Sequence, residues 1–90
     1  MTVERTKYNA DGVEVCELSY IRDKDNRVVV MELNTPEEYR GKGYARQLLS
    51  DMQREEQQPI RVVSTHHAVG YYHKLGYVEV APYVFEACAS

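Results

Sequence analysis

Ninety residues, of which 43% are apolar, make one lean domain over residues 1–90, with no room for a separate substrate domain. A formal net charge of −3 argues against broad nucleic-acid binding, which needs a basic face to displace counterions. No run approaches ~18 consecutive apolar residues, and Met1-Thr2-Val3-Glu4-Arg5 offers no apolar segment, so neither a membrane span nor a secretory leader is expected.

The first third of the chain reads as strands. Residues 3–8 form a short candidate, followed by Asn9-Ala10-Asp11-Gly12. Asp-Gly favours a tight turn because glycine takes positive φ without steric cost. Val13-Glu14-Val15-Cys16-Glu17-Leu18 then alternates apolar with polar, the period of a half-buried strand. Residues 22–26 are a polar turn. After it, Val28-Val29-Val30-Met31 is apolar at every position, which predicts a central strand covered on both faces.

Pro36 closes the strand region, and Glu37-Glu38-Tyr39 leads into a glycine segment. From Tyr44 the period becomes helical, with Tyr44, Ala45, Leu48, Leu49 and Met52 on one stripe. Pro59 ends that helix, and Ile60-Arg61-Val62-Val63 is the next strand. A short helix over residues 68–75 follows, with Ser64 or Thr65 as its N-cap and Gly76 as its stop. Residues 77–80 and 83–87 are two final strands around Pro82. Strand, glycine loop, helix, strand is a crossover that places its two strands parallel. With the antiparallel front, this predicts an α+β (mixed α/β) fold, one mixed sheet of about six strands with two helices.

Cys16 and Cys88 match no metal spacing. Two free thiols in a reducing cytoplasm are expected, with one disulfide between them left open. His66 and His67 are adjacent and so diverge, and His73 lies too far along to complete a compact site, so no metal is expected.

Arg40-Gly41-Lys42-Gly43-Tyr44-Ala45 lies between the central strand and a helix start. Glycine lets a ligand approach the backbone, and the helix beyond presents unpaired N–H groups and the positive end of its dipole. Together these make an anion site suited to a pyrophosphate. A P-loop pattern is absent. The dinucleotide fingerprint fails because Arg46 stands where its third glycine should be, and no acidic residue ends the strand after Ile60.

The segment resembles the acyl-CoA pyrophosphate motif of the GNAT superfamily of N-acyltransferases, Gln/Arg-x-x-Gly-x-Gly/Ala, with Arg40, Gly43 and Ala45 at its defined positions. Downstream, Ala68-Val69-Gly70-Tyr71-Tyr72-His73-Lys74-Leu75-Gly76-Tyr77 resembles the second signature, Ala-x-x-aromatic-Tyr-x-Lys-x-Gly-aromatic. The resemblance covers residues 28–77.

The resemblance implies a GNAT-like fold in which the central strand and the next strand splay to admit the acyl-CoA arm. Main-chain groups of Met31 and Leu33 would hold that arm. Arg40, Gly41, Lys42, Gly43, Tyr44, Ala45 and Arg46 would hold the pyrophosphate, chiefly through N–H groups, and Thr65 would join this cofactor-binding set. Tyr72 would protonate the departing thiolate, with Tyr71 in the core. Histone-modifying relatives carry a glutamate early in the central strand, where this chain has Arg27. Glu32 is the nearest alternative base, on the face opposite Met31 and Leu33, and deprotonation through water is the other route.

The implied activity is acetyl transfer from acetyl-CoA to a primary amine, a protein lysine, by direct attack in a ternary complex. The alternative is an inactive module that binds CoA or a protein. Family members usually carry two helices before the central strand, whereas no helical pattern precedes Val28. A truncated fold is therefore expected, with the acceptor side either open or walled by a partner subunit, and a homodimer is compatible with it.

Overall fold

The computed structural model describes residues 2–87, so Cys88 and any pairing of it with Cys16 lie outside the described residues. The strands are β1 (Val3–Tyr8), β2 (Glu14–Arg22), β3 (Val28–Asn34), β4 (Arg61–Val63), β5 (Val78–Ala81) and β6 (Val84–Glu86). The helices are α1 (Tyr44–Glu55) and α2 (Val69–Lys74), preceded by 3-10 turns at Glu37–Tyr39 and His66–Ala68. All six strands form one mixed sheet in the order β1-β2-β3-β4-β6-β5. The α1 crossover makes β3 and β4 parallel, and every other neighbouring pair is antiparallel.

Short polar side chains close the front turns. Asn9 Oδ1 accepts the N–H groups of Asp11 and Val13 at 2.9 and 3.0 Å, between β1 and β2. Asp23 Oδ1 does the same for Asp25 and Arg27 between β2 and β3, at 2.9 and 3.0 Å. Both are Asx turns, the local bonding these side chains favour. β2 runs four residues past the end that its alternation marks at Leu18, because β1 pairs with it as far as Tyr20 and β3 as far as Arg22.

Both helices lie on one side of the sheet. Leu48, Leu49 and Met52 of α1 and Tyr72 of α2 pack on Cys16, Leu18, Val28, Val30, Val62 and Phe85. Charged pairs at the rim fix how α1 lies: Arg5 with Glu55, Lys7 with Asp51 at 3.9 Å, and Arg22 with Glu56 at 2.9 Å.

The expectation that β3 is covered on both faces needs correcting. Val28 and Val30 are buried under the helices, but Val29 is only half-buried, and Met31 and Glu32 are exposed. No helix covers the second face among the described residues. The valine run reflects β-propensity and a central position rather than two-sided burial. The strand also carries a bulge. Tyr20 pairs with Val30 and Ser19 with Glu32, leaving Met31 as the extra residue. One inserted residue reverses the alternation, so Leu33 rather than Glu32 continues the helix-side row of Val28 and Val30.

Candidate active site

β3 and β4 are parallel for only two residue pairs, Val29 with Arg61 and Val30 with Val62. β3 continues to Asn34 with β2 as its partner, while its other edge has no strand beside it among the described residues. Beyond β4, Ser64 turns away from β3 and donates its N–H to the carbonyl of Tyr83 at 2.7 Å. A slot therefore opens between the end of β3 and residues 64–65, lined on one side by main-chain groups not used in the sheet.

The glycine loop stands at the mouth of this slot. Gly41 and Gly43 have φ of 78° and 83°, the left-handed region open to glycine without penalty. Gly43 is the N-cap of α1, and the first helical bond runs from Gln47 N–H to its carbonyl at 3.0 Å. The N–H groups of Gly43, Tyr44, Ala45 and Arg46 thus have no partner within the helix. No acidic residue occupies the first turn to compete for them. Arg40 Nε donates to the Thr35 carbonyl at 2.8 Å, which ties its guanidinium to the end of β3. A Cβ at either glycine would meet nothing within 4 Å, so the space in front of the loop is open. Free N–H groups, a dipole end, two arginines and open space fit a pyrophosphate.

A cleft of about 580 Å³ joins this cradle to the slot. Of the residues singled out in the sequence, Leu33, Arg40, Gly41, Gly43, Tyr44, Ala45, Arg46 and Tyr72 line it. Lys42 is exposed and outside the lining. Met31 and Glu32 border a different groove, shared with Glu4 and Glu17. Thr65 is exposed beside the slot and makes no capping bond. Neither Thr65 nor Ser64 caps α2: a 3-10 turn intervenes, the N-cap is Ala68, and the Ser64 hydroxyl donates to the Thr65 carbonyl at 2.7 Å.

The two tyrosines of α2 exchange their expected roles in part. Tyr71, read as core, is 38% exposed and lines the cleft. Tyr72 is 4% exposed, with its ring 5.5 Å from those of Tyr71 and Phe85 and 5.9 Å from that of Tyr77. Burial, with the neighbouring phenols adding to it, pushes the Tyr72 hydroxyl up to about 12. Tyr72 is therefore a protonated donor, part core and part cleft wall. Thr35, not singled out in the sequence, also lines the cleft and donates its hydroxyl to Cys16 Sγ at 3.2 Å. Burial raises the Cys16 thiol above its usual range. A threonine before a proline reads only as a strand end, so no sequence signal marks it.

The His66 and His67 rings are 5.7 Å apart, and among the described residues no three His, Cys, Asp or Glu side chains are placed to hold a metal ion. No described helix is long and apolar enough to cross a membrane.

The profile of the acetyltransferase (GNAT) domain family matches residues 7–88. No curated protein matches the chain in sequence. Among solved structures, a bacterial toxin superposes with a TM-score of 0.73 at 13% identity, over 96% of this chain and 66% of the toxin. Tetrahymena GCN5 superposes with a TM-score of 0.67 at 14% identity, over 96% of this chain and 67% of that protein. The chain thus spans about two thirds of the length of these structures, and at such identities they speak for the fold. With the family profile covering nearly the whole chain and the same fold in both structures, the chain belongs to the GNAT acetyltransferase family.

Proposed function

We propose that the protein transfers an acetyl group from acetyl-CoA to a primary amine, a lysine side chain of a protein, by direct attack in a ternary complex. The observation that carries this reading is the continuity of the anion cradle at Gly43 with the slot beside β3, through one cleft. Acetyl-CoA, when bound, supplies an activated acetyl thioester with a thiolate leaving group. The N–H groups of Gly43 to Arg46, with the Arg40 and Arg46 side chains, hold the pyrophosphate. Main-chain groups of Met31 and Leu33 hold the arm along the unpaired edge of β3. Leu33, Tyr44, Tyr71 and Leu75 form an apolar wall that excludes water.

Two proton movements remain. Tyr72 lines the cleft as a protonated phenol, and its hydroxyl donates to the sulfur as negative charge develops there. With the phenol pushed up to about 12, the group stays protonated and serves as a hydrogen-bond donor to the sulfur rather than a balanced acid. On the other side, a lysine amine with pKa ~10.4 is more than ~99.9% protonated at pH 7 and must lose a proton before attack. We assign this to Glu32, exposed on β3 past the last β3–β4 pair, with water as the carrier.

Tyr72→Phe tests the reading: turnover falls by about 10²-fold while acetyl-CoA affinity is unchanged. An equal loss of affinity would return Tyr72 to a purely structural role. The second reading is a module that binds acyl-CoA without turning it over. It is favoured by Arg27, which stands where histone-modifying relatives carry their glutamate and is engaged with Glu86 at 3.2 Å. Acetyl-CoA binding with no turnover of any lysine peptide or free amine would establish that reading instead.

A further inference from the structure

Thr35 lines the cleft between its two halves, after the free edge of β3 and before the glycine loop. Three constraints hold it there. Pro36 follows it, which confines the Thr35 backbone to the extended region. Its carbonyl accepts from Arg40 Nε at 2.8 Å, and its hydroxyl donates to Cys16 Sγ at 3.2 Å. Cys16 is 1% exposed and takes no part in the cleft lining, so the sulfur lies behind Thr35 in the core. A hydroxyl carries one hydrogen and two lone pairs. With the hydrogen spent on a sulfur inside the core, Thr35 presents an acceptor to the cleft. No carboxylate lines the cleft among the described residues, so side-chain acceptors are few there.

We infer that Thr35 Oγ1 accepts a hydrogen bond from the arm of acyl-CoA and that Cys16 is the positioning residue that aims it, a reading that rests on acetyl transfer as proposed above. The arm carries amide N–H groups and a hydroxyl, all of them donors that need an acceptor once they leave water. The cleft that joins the cradle to the slot, the arm's path in that reading, runs past Thr35. Threonine is β-branched and stiff at χ1, and the sulfur fixes the remaining rotation of its hydroxyl. The acceptor is therefore set before the ligand arrives, which spares the cost of ordering it on binding. A thiol suits the task behind it, because its sulfur is a weak acceptor that packs as a small apolar group.

The test is calorimetric titration of the full chain with free CoA, and with 3′-phosphoadenosine 5′-diphosphate as the same nucleotide without the arm. Thr35→Val keeps the side-chain shape and removes the hydroxyl, so CoA affinity should fall by about fivefold while the bare nucleotide binds as it does to wild type. Thr35→Ser should recover most of that loss. Cys16→Ala, an independent variant, frees the hydroxyl to rotate and should lower CoA affinity by about two- to threefold, again without moving the nucleotide. In turnover assays the loss should appear in KM for acetyl-CoA rather than in kcat. Wild-type CoA affinity in Thr35→Val or in Cys16→Ala would overturn the inference. So would equal losses for both ligands, which would mean that Thr35 acts through Arg40 alone. Tight CoA binding with no effect of either variant removes the role of Thr35 and leaves acetyl transfer standing, whereas a wild type that binds neither ligand removes both.

Discussion

Tyr72 stands where packing and chemistry compete for one side chain. Its ring closes the core against Phe85 and Tyr77, and its burial keeps the phenol protonated. A tyrosine whose folded pKa is raised contributes stability that is complete below the unfolded value of 10. That stability is lost as pH climbs through about 12. Over this window the loss is on the order of 2 kcal/mol. Tyr72→Phe should therefore flatten the alkaline decline in stability, measured by urea unfolding at pH 9 and pH 11. An equally steep decline in the variant would assign it to other phenols. The choice between Tyr71 and Tyr72 was only half legible in the sequence. The motif singles out Tyr72 for chemistry, but a six-residue helix is too short to define which adjacent aromatic faces the core. Glu32 belongs to the same scale. If it takes the amine proton, Glu32→Gln lowers turnover by about tenfold or more without moving acetyl-CoA affinity. Unchanged turnover would leave deprotonation to water.

At the scale of elements, α1 and β3 carry the site between them. The stripe Leu48, Leu49 and Met52 was readable from its helical spacing, and all three side chains are buried. Leu49→Ala should cost about 2–5 kcal/mol. Against a total of about 5–15 kcal/mol for a native domain, that is a large share, visible as a lower urea midpoint. A midpoint within experimental error of wild type would mean that α1 is not the lid on this core. The crossover and the parallel pair it makes were equally legible, because a glycine loop followed by a helix leaves few ways to return to a sheet. The bulge at Met31 was not. Nothing in Val28-Val29-Val30-Met31-Glu32-Leu33 marks an inserted residue, since a bulge is set by cross-strand register with β2 and not by local preference. Yet it is the bulge that turns Leu33 into the cleft, and it leaves Met31 and Glu32 bordering a separate groove.

Seen whole, the molecule is a six-stranded sheet with both helices on one face, and the cleft beside Gly43 lies on that face between their ends. The opposite face bears no helix among the described residues, in keeping with the absence of helical periodicity before Val28. The order β4-β6-β5, in which the last strand inserts beside β4, was beyond the reach of pattern alone, because strand periodicity fixes faces and not neighbours. That insertion brings Tyr83 to Ser64, which turns away from β3 at the slot. The proposed transfer depends first on the cradle at Gly43 holding acetyl-CoA. Thermal unfolding of wild type, Gly43→Ala and Gly43→Glu with and without acetyl-CoA tests it most directly. Alanine adds the backbone strain of φ 83° but no clash, since a Cβ there meets nothing within 4 Å, whereas glutamate adds a negative charge to the anion site. At about 100 times Kd, acetyl-CoA should add about 2.7 kcal/mol to wild type, several degrees in Tm. A comparable rise in Gly43→Ala and none in Gly43→Glu is the predicted result, and a wild-type Tm indifferent to saturating acetyl-CoA would contradict the account.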